Sequence, residues 1–525
     1  MFKGELKPYQ VDAVNKMVEK KKILVAYQMG LGKTPMTIAA IEELRKTRDV
    51  EETVLVLCLA SLKYQWQKEI DKFTGDDALV IDGSPAKRKE QYSQMSNYRW
   101  VIMNYEQVVN DWDIIKEKSI DAIVADEATA IKGFRAKRAK KVKELAKRVS
   151  IRFALTGTPI ENGRPEEIYS IMQFVDPTVL GRFDLFDQTF IVRNHFGGVQ
   201  RYRNLPTLHT KLSESSVRKT QLDDDVKPYL PDAVYREPLL VPVDAKTKKV
   251  YNYIANDLLD LLTEASSLFG SNFSIQAHYG QAQQAGDPAN EMRGHIMSRI
   301  TALRMLCSNP HLLVKSAEDF DRMDSKKGSA YASQLKMDGW MDNLNKTPKL
   351  DAAIGYLMDH LDIDPSYKAV VFSSYLGSVD AIVARLHNKG INAIAYTGEM
   401  NAREKETNKT VFKTEPNTRV LVSSDAGGYG VDLPEGNLLV NYDQPWSSGM
   451  AMQRNGRINR ASSEWETITI QDILVKDSIE ERQYDTLKQK IAVANAVIDG
   501  EGINSRGGVD LTVGSLISFL TPRIL

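Results

Sequence analysis

The residues best placed to do chemistry are a lysine and a threonine that close a glycine turn. The run KKILVAY (21–27) has the apolar, β-branched character of a buried strand and leads into QMGLGKTPMTIAAIEEL, a turn that opens a helix. Backbone N–H groups of such a turn, together with the helix N-terminus, make a concave anion site suited to phosphates. Met29, Gly30, Leu31 and Gly32 form the turn, Lys33 is placed to reach the β and γ phosphates of a bound nucleotide, and Thr34 offers a hydroxyl to Mg²⁺. The general phosphate-loop pattern has glycine at its first position, where this chain has Tyr27. Further on, the strand IDAIVAD (120–126) ends in Asp126 with Glu127 beside it. A carboxylate at the carboxyl end of a buried strand suits a hydrated Mg²⁺, and its neighbour can orient and deprotonate an attacking water. Each feature alone has a plainer reading, an incidental lysine after a glycine turn and a strand end with two solvated acids. Their order, followed by LTGTP (155–159), points to nucleotide hydrolysis.

The elements that must position these residues repeat twice along the chain. TVLVLCL (53–59), WVIMNY (100–105) and RFALTG (152–157) join the two strands above as runs fit for a parallel sheet covered on both faces. Helical patterns between them imply βαβ units and a doubly wound α/β domain. The same texture returns in AVVFSSY (369–375), INAIAYTG (391–398), RVLVSSD (419–425), NLLVNYD (437–443) and TITIQDIL (467–474). The expected division is a first domain over 1–177, helical insertions over 178–345, a second α/β domain over 346–490 and a tail over 491–525. A strand near 236–244, REPLLVPVD, is expected to complete the first sheet.

Composition sets bounds. A chain of 525 residues exceeds one compact core, and its 42% apolar and 26% charged content is ordinary for a globular protein. The 69 basic side chains equal the 69 acidic ones, which excludes a protein coated in positive charge and confines any nucleic-acid contact to a local groove. Two cysteines, Cys58 and Cys307, leave no disulfide framework and no zinc site. No stretch approaches the roughly 18 consecutive apolar residues of a membrane span, and the N-terminus lacks a signal-peptide core. The chain therefore reads as intracellular and cytoplasmic.

The order of motifs resembles helicase superfamily 2, and within it the Swi/Snf branch. LKPYQ (6–10) is similar to that branch's opening motif, whose glutamine, here Gln10, reads adenine. QMGLGKT resembles its phosphate loop, which also lacks the first glycine, and DEATAIKG (126–133) resembles its acidic box, with Thr129 in place of histidine. LTGTPIENGRPEEIYSIMQFVDP (155–177) is the closest match; Thr156, Gly157 and Thr158 would couple hydrolysis to movement. LRMLCSNPHLL (303–313) resembles a helical signature of the branch. In the second domain SSDAGGYGVDL and YDQPWSSGMAMQRNGRINR resemble later motifs, with Asp425 where a basic residue is common.

The resemblance implies two RecA-like α/β domains with ATP and Mg²⁺ between them. Gly430 and Asp432 would add to the ATP site and Gln453 to the coupling. Arg457 and Arg460 would be arginine fingers that stabilise charge on the transferred phosphoryl group when the domains close. Nucleic acid, duplex DNA foremost, would be gripped through Ser61, Asn104, Tyr105, Ser373, Ser374, Gly427 and Gly428, residues that carry no base readout. The basic run KGFRAKRAKKVKELAKR (132–148) is either a phosphate contact or a solvated connecting helix. Three activities remain open: a duplex translocase, a strand-separating helicase, and a remodeller stimulated by a protein partner on DNA.

Overall fold

The computed structural model describes residues 1–193, 199–271, 273–275, 287–322, 328–428, 431–500 and 512–521. The chain divides into two units, one made of Met1–Val192, Arg201–Leu230 and Lys490–Gly507, the other of Arg193–Gln200, Pro231–Gln489 and Gly508–Leu525. The region 178–345 and the tail are therefore each shared between the units.

The first unit is built on a parallel sheet of seven strands: β1 (Lys22–Tyr27), β2 (Val54–Cys58), β3 (Ala78–Val80), β4 (Trp100–Asn104), β5 (Ala122–Asp126), β6 (Ile151–Leu155) and β7 (Ser216–Lys219). Their spatial order is β3-β4-β2-β5-β6-β1-β7. β2, β5 and β6 are buried along their whole length, as parallel strands roofed by helices on both faces must be. The consequence for function is local: β1, β5 and β6 are neighbours, so the carboxyl ends that carry the lysine loop, Asp126 and LTGTP lie side by side. Ligands of open parallel sheets bind at such carboxyl ends.

The second unit holds another all-parallel sheet: β8 (Asp232–Tyr235), β9 (Leu239–Val241), β10 (Ala369–Ser373), β11 (Asn392–Tyr396), β12 (Thr418–Ser424), β13 (Leu438–Asn441) and β14 (Thr467–Val475). All ten runs read from the sequence as strands contain strands here. The strand near 236–244 is a correction. It joins the second sheet, Leu239 opposite Ile473, and the first sheet is completed instead by β7, Ser216 opposite Leu24. The reason is chemical. Pro238 lacks an N–H and splits an edge strand into β8 and β9, both laid along β14. SVRK (216–219) buries one apolar side chain, Val217, too little periodicity to announce a strand.

Helices Ala245–Phe269, Pro288–Ser308, Pro310–Asp321 and Ala330–Met337 share an apolar core with the tail helix Val513–Leu520. Val513 N donates to Phe273 O at 3.0 Å and Gly514 N to Ser271 O at 2.8 Å, so the tail helix is stitched into the second unit. Among the described residues no helix is long and apolar enough to cross a membrane. Leu516 is fully buried in this core. Leu516→Ala is expected to cost about 2–5 kcal/mol by losing transfer energy and leaving a cavity; urea unfolding followed by circular dichroism checks it.

Candidate active site

The phosphate loop is shaped by its neighbours. Gly30 and Gly32 hold φ of 83° and 82°, a backbone region open to glycine. A Cβ on Gly32 would meet the Gln10 amide nitrogen at 2.3 Å. Gln10 itself is buried; its Nε2 donates to Leu31 O at 3.0 Å and its Oε1 accepts from Lys7 N at 2.9 Å. The glutamine expected to read adenine is thus fixed directly against the loop. Lys33 starts the helix Lys33–Lys46, and its Nζ donates to Tyr27 O at 2.9 Å, curled into the loop that it would leave for a phosphate. Tyr27 explains the missing first glycine: its ring is buried and its hydroxyl donates to Tyr9 O at 3.0 Å, under the helix Pro8–Lys20 and clear of the loop.

Asp126 lies at the end of β5, buried. Trp66 Nε1 donates to its Oδ2 at 2.8 Å and Glu127 N to its Oδ1 at 3.0 Å. Burial pushes its carboxyl above the ordinary 3.8, while the Trp66 bond and the nearby Lys33 charge pull the other way. Glu127 follows with φ 47° and ψ 57°, left-handed backbone that costs a non-glycine residue roughly 1–2 kcal/mol. Thr156 N donates to Val25 O, and Thr156 Oγ1 accepts from Thr158 N at 3.1 Å. Gly157 permits close packing: a Cβ there would lie 2.9 Å from Met29 Cγ and 3.2 Å from Met29 N. Lys132, which trails the acidic box, pairs with Glu161, whose carboxyl is raised by burial and opposed by that lysine. Lys33, Thr34, Asp126, Glu127 and Thr156–Thr158 are therefore gathered on three adjacent strand ends of one unit.

The second unit carries the arginines. Arg454, almost fully buried, donates twice to Asp425, Nε to Oδ1 at 2.6 Å and Nη2 to Oδ2 at 2.9 Å, and once to Asp443 O at 2.6 Å. Asp425 and Gln453 border a small pocket with Arg454, Arg457 and Gly428. Arg457 donates to Val431 O at 3.3 Å, and Arg460 pairs with Asp432 at 2.6 Å. Gly430 lies outside the described residues.

Most of the residues expected to grip nucleic acid are committed elsewhere. The Tyr105 hydroxyl donates to Asp126 O at 2.6 Å, and Ser373 Oγ, wholly buried, donates to Asp443 at 2.6 Å. Ser374 Oγ bonds Asp425 and Arg454, the Gly427 and Gly428 amides turn inward to Ser424, and Asn104 caps the helix Tyr105–Asn110. A strand-end hydroxyl has carbonyls and acids within reach, and here it takes them. Ser61 alone of the seven is exposed. Sequence reasoning also missed Arg218 and Gln221, which brace the loop from β7 and the turn beyond it: Arg218 Nη1 donates to Ala26 O at 2.8 Å and Gln221 Nε2 to Met29 O at 3.1 Å. The sequence does not display their partners, which are the backbone oxygens of Ala26, Gly157 and Met29 and the chain-distant carboxylate of Asp499.

Comparison with known proteins then decides the family. Residues 9–312 match the SNF2-related domain, and residues 351–462 match the helicase conserved C-terminal domain. This chain belongs to the SNF2-related family. The SNF2-related chain is 24% identical to the TATA-binding protein-associated factor MOT1 of Saccharomyces cerevisiae, across 95% of its own length and 28% of that protein's. It is 26% identical to the ISWI chromatin-remodeling complex ATPase ISW1 of the same yeast, across 94% and 41%. It thus spans less than half of either relative. Among solved structures, the Pyrococcus furiosus Hef helicase domain shares the fold with a TM-score of 0.53 and 19% identity, over 91% of this chain and 98% of that one.

The raised Asp126 carboxyl has a consequence for stability. A carboxyl raised in the folded state favours its protonated form, so its contribution is whole below pH 3.8 and is lost as pH rises through the folded value. Asp126→Asn is expected to raise the melting temperature of the nucleotide-free chain at pH 7 and to lose that advantage below pH 4. Thermal melts across that pH range test it; a lower melting temperature at pH 7 contradicts it.

Proposed function

We propose that this chain is an ATP-driven motor that moves along duplex DNA. The observation that carries the reading is the convergence, at the carboxyl ends of the two strands that flank β6, of a lysine-bearing phosphate loop and the Asp126–Glu127 pair, in a chain whose family pairs that unit with an arginine-bearing second one. Lys33 binds the β and γ phosphates. Glu127 orients and deprotonates the attacking water. Arg457 and Arg460 stabilise charge developing on the transferred phosphoryl group, leaving Val431 O and Asp432 to do so. Gln10 contacts adenine and, through Leu31 O, the loop, and Thr156–Thr158 link the nucleotide to movement.

The residues also fit a magnesium ion. Asp126 is a buried carboxylate whose desolvation Lys33 only partly offsets, and a divalent cation would supply the remaining counter-charge. Asp126 and the Thr34 hydroxyl are the groups that would hold it. The ion would neutralise charge on the phosphates.

Duplex DNA is the preferred track because one relative is named as a chromatin-remodeling ATPase and another as a factor associated with a TATA-binding protein. Steady-state ATP hydrolysis with duplex DNA, single-stranded DNA and RNA tests this. Duplex DNA is expected to stimulate most, and Glu127→Gln to lower kcat at least about a hundredfold, with Lys33→Ala comparably inactive. Stimulation by single strands or RNA alone would favour a strand-separating helicase. A rate that no nucleic acid changes would favour a motor awaiting a protein partner. Full activity in either variant would refute the catalytic assignment.

A further inference from the structure

The brace on the phosphate loop reaches the C-terminal segment. Arg218, in β7, spends its guanidinium on three chain-distant groups. Its Nη1 donates to Ala26 O at 2.8 Å, on the strand that feeds the loop, and to Gly157 O at 3.4 Å, in the LTGTP turn. Its Nε donates to Asp499 Oδ1 at 2.7 Å and its Nη2 to Asp499 Oδ2 at 3.3 Å. All four residues belong to the first unit. Asp499 directly follows the helix Ile479–Ile498, and its N–H closes that helix by donating to Asn495 O at 2.7 Å. The same end is seated on His209, whose Nδ1 lies 3.3 Å from Val497 O, and Gly500 turns away with φ 72°. Beyond β7 the brace continues, since Gln221 N donates to Gln28 Oε1 at 2.8 Å and Gln28 N to Lys219 O at 2.9 Å.

A planar guanidinium is oriented by its bidentate carboxylate, and its remaining donors then point in fixed directions. We propose that Arg218 is a positioning residue for the phosphate loop and that Asp499 locks it, so that the end of the helix Ile479–Ile498 sets how ready the loop is for nucleotide. This rests on the reading that the loop binds ATP. Without Asp499 the guanidinium keeps two neutral acceptors and regains its rotamers, and the β1 and LTGTP ends lose their common bolt.

The test is hydrogen–deuterium exchange of the full chain without nucleotide, read on peptides covering residues 26–33 and 155–158. Arg218→Gln and Asp499→Asn are compared with wild type and with Asp49→Asn, which breaks an exposed Lys21 pair on the same unit. Both test variants are expected to exchange about tenfold faster in those peptides alone, and to raise KM for ATP about tenfold with kcat within about twofold. Arg218→Lys, which keeps the charge and loses the fork, should fall between. The proposal is overturned if Asp499→Asn matches Asp49→Asn in exchange and KM, or if exchange rises evenly across the unit, the mark of a merely structural pair. Should the wild type hydrolyse no ATP with any nucleic acid, the functional reading falls, and the exchange comparison still decides the lock.

Discussion

The candidate site of the first unit is arranged around one carboxylate held where water is scarce. Asp126 ends a strand buried on both faces, and a charge there is costly unless donors and counter-charge surround it. The fold assigns Trp66 Nε1 and the Glu127 amide as donors and brings Lys33 near as the charge. Each comes from a different part of the chain, so the sheet order β2-β5-β6-β1 is what makes the assembly possible. Glu127, whose amide makes that bond, has left-handed backbone that directs the chain after it away from the strand. The protein's own groups offset the desolvation only in part.

The second unit settles its charges internally. Asp425, where a basic residue is common in the Swi/Snf branch, forms a two-point pair with Arg454, and Asp443 receives Ser373, the Ser374 amide and, through its carbonyl, Arg454. A buried pair of this kind adds little net stability, yet removing one partner strands the other. Its effect here is geometric. Arg454 lies on the helix Ser448–Asn455, just ahead of Arg457, so the pair fixes the base from which the two expected fingers project. From the helical region, Arg304 donates to Gln444 O at 2.9 Å and sits over Trp446, holding the loop that enters the same helix.

The placement of the reactive residue types was legible in the sequence: Lys33 opens a helix after a glycine turn and Asp126 closes β5, as the runs around them imply. Buried strands were equally plain, because a strand covered on both faces must be apolar throughout. Edges were not. β7 is polar and short, and the split edge of β8 and β9 depends on one proline, so the sheet to which 236–244 belongs lies in tertiary pairing. Surface roles were the least legible. A serine at a strand end looks the same whether it faces a phosphate or an aspartate, and Ser373 and Ser374 face aspartates.

In the proposed motor, the buried Asp126 charge is completed by a divalent cation arriving with ATP. Titration calorimetry of the full chain with ATP, in Mg²⁺ and again in excess EDTA, measures this most directly. The account predicts that chelation weakens ATP binding strongly in the wild type, and far less in Asp126→Asn, which has no buried charge to complete. Equal ATP affinity in Mg²⁺ and in EDTA for the wild-type chain would contradict it.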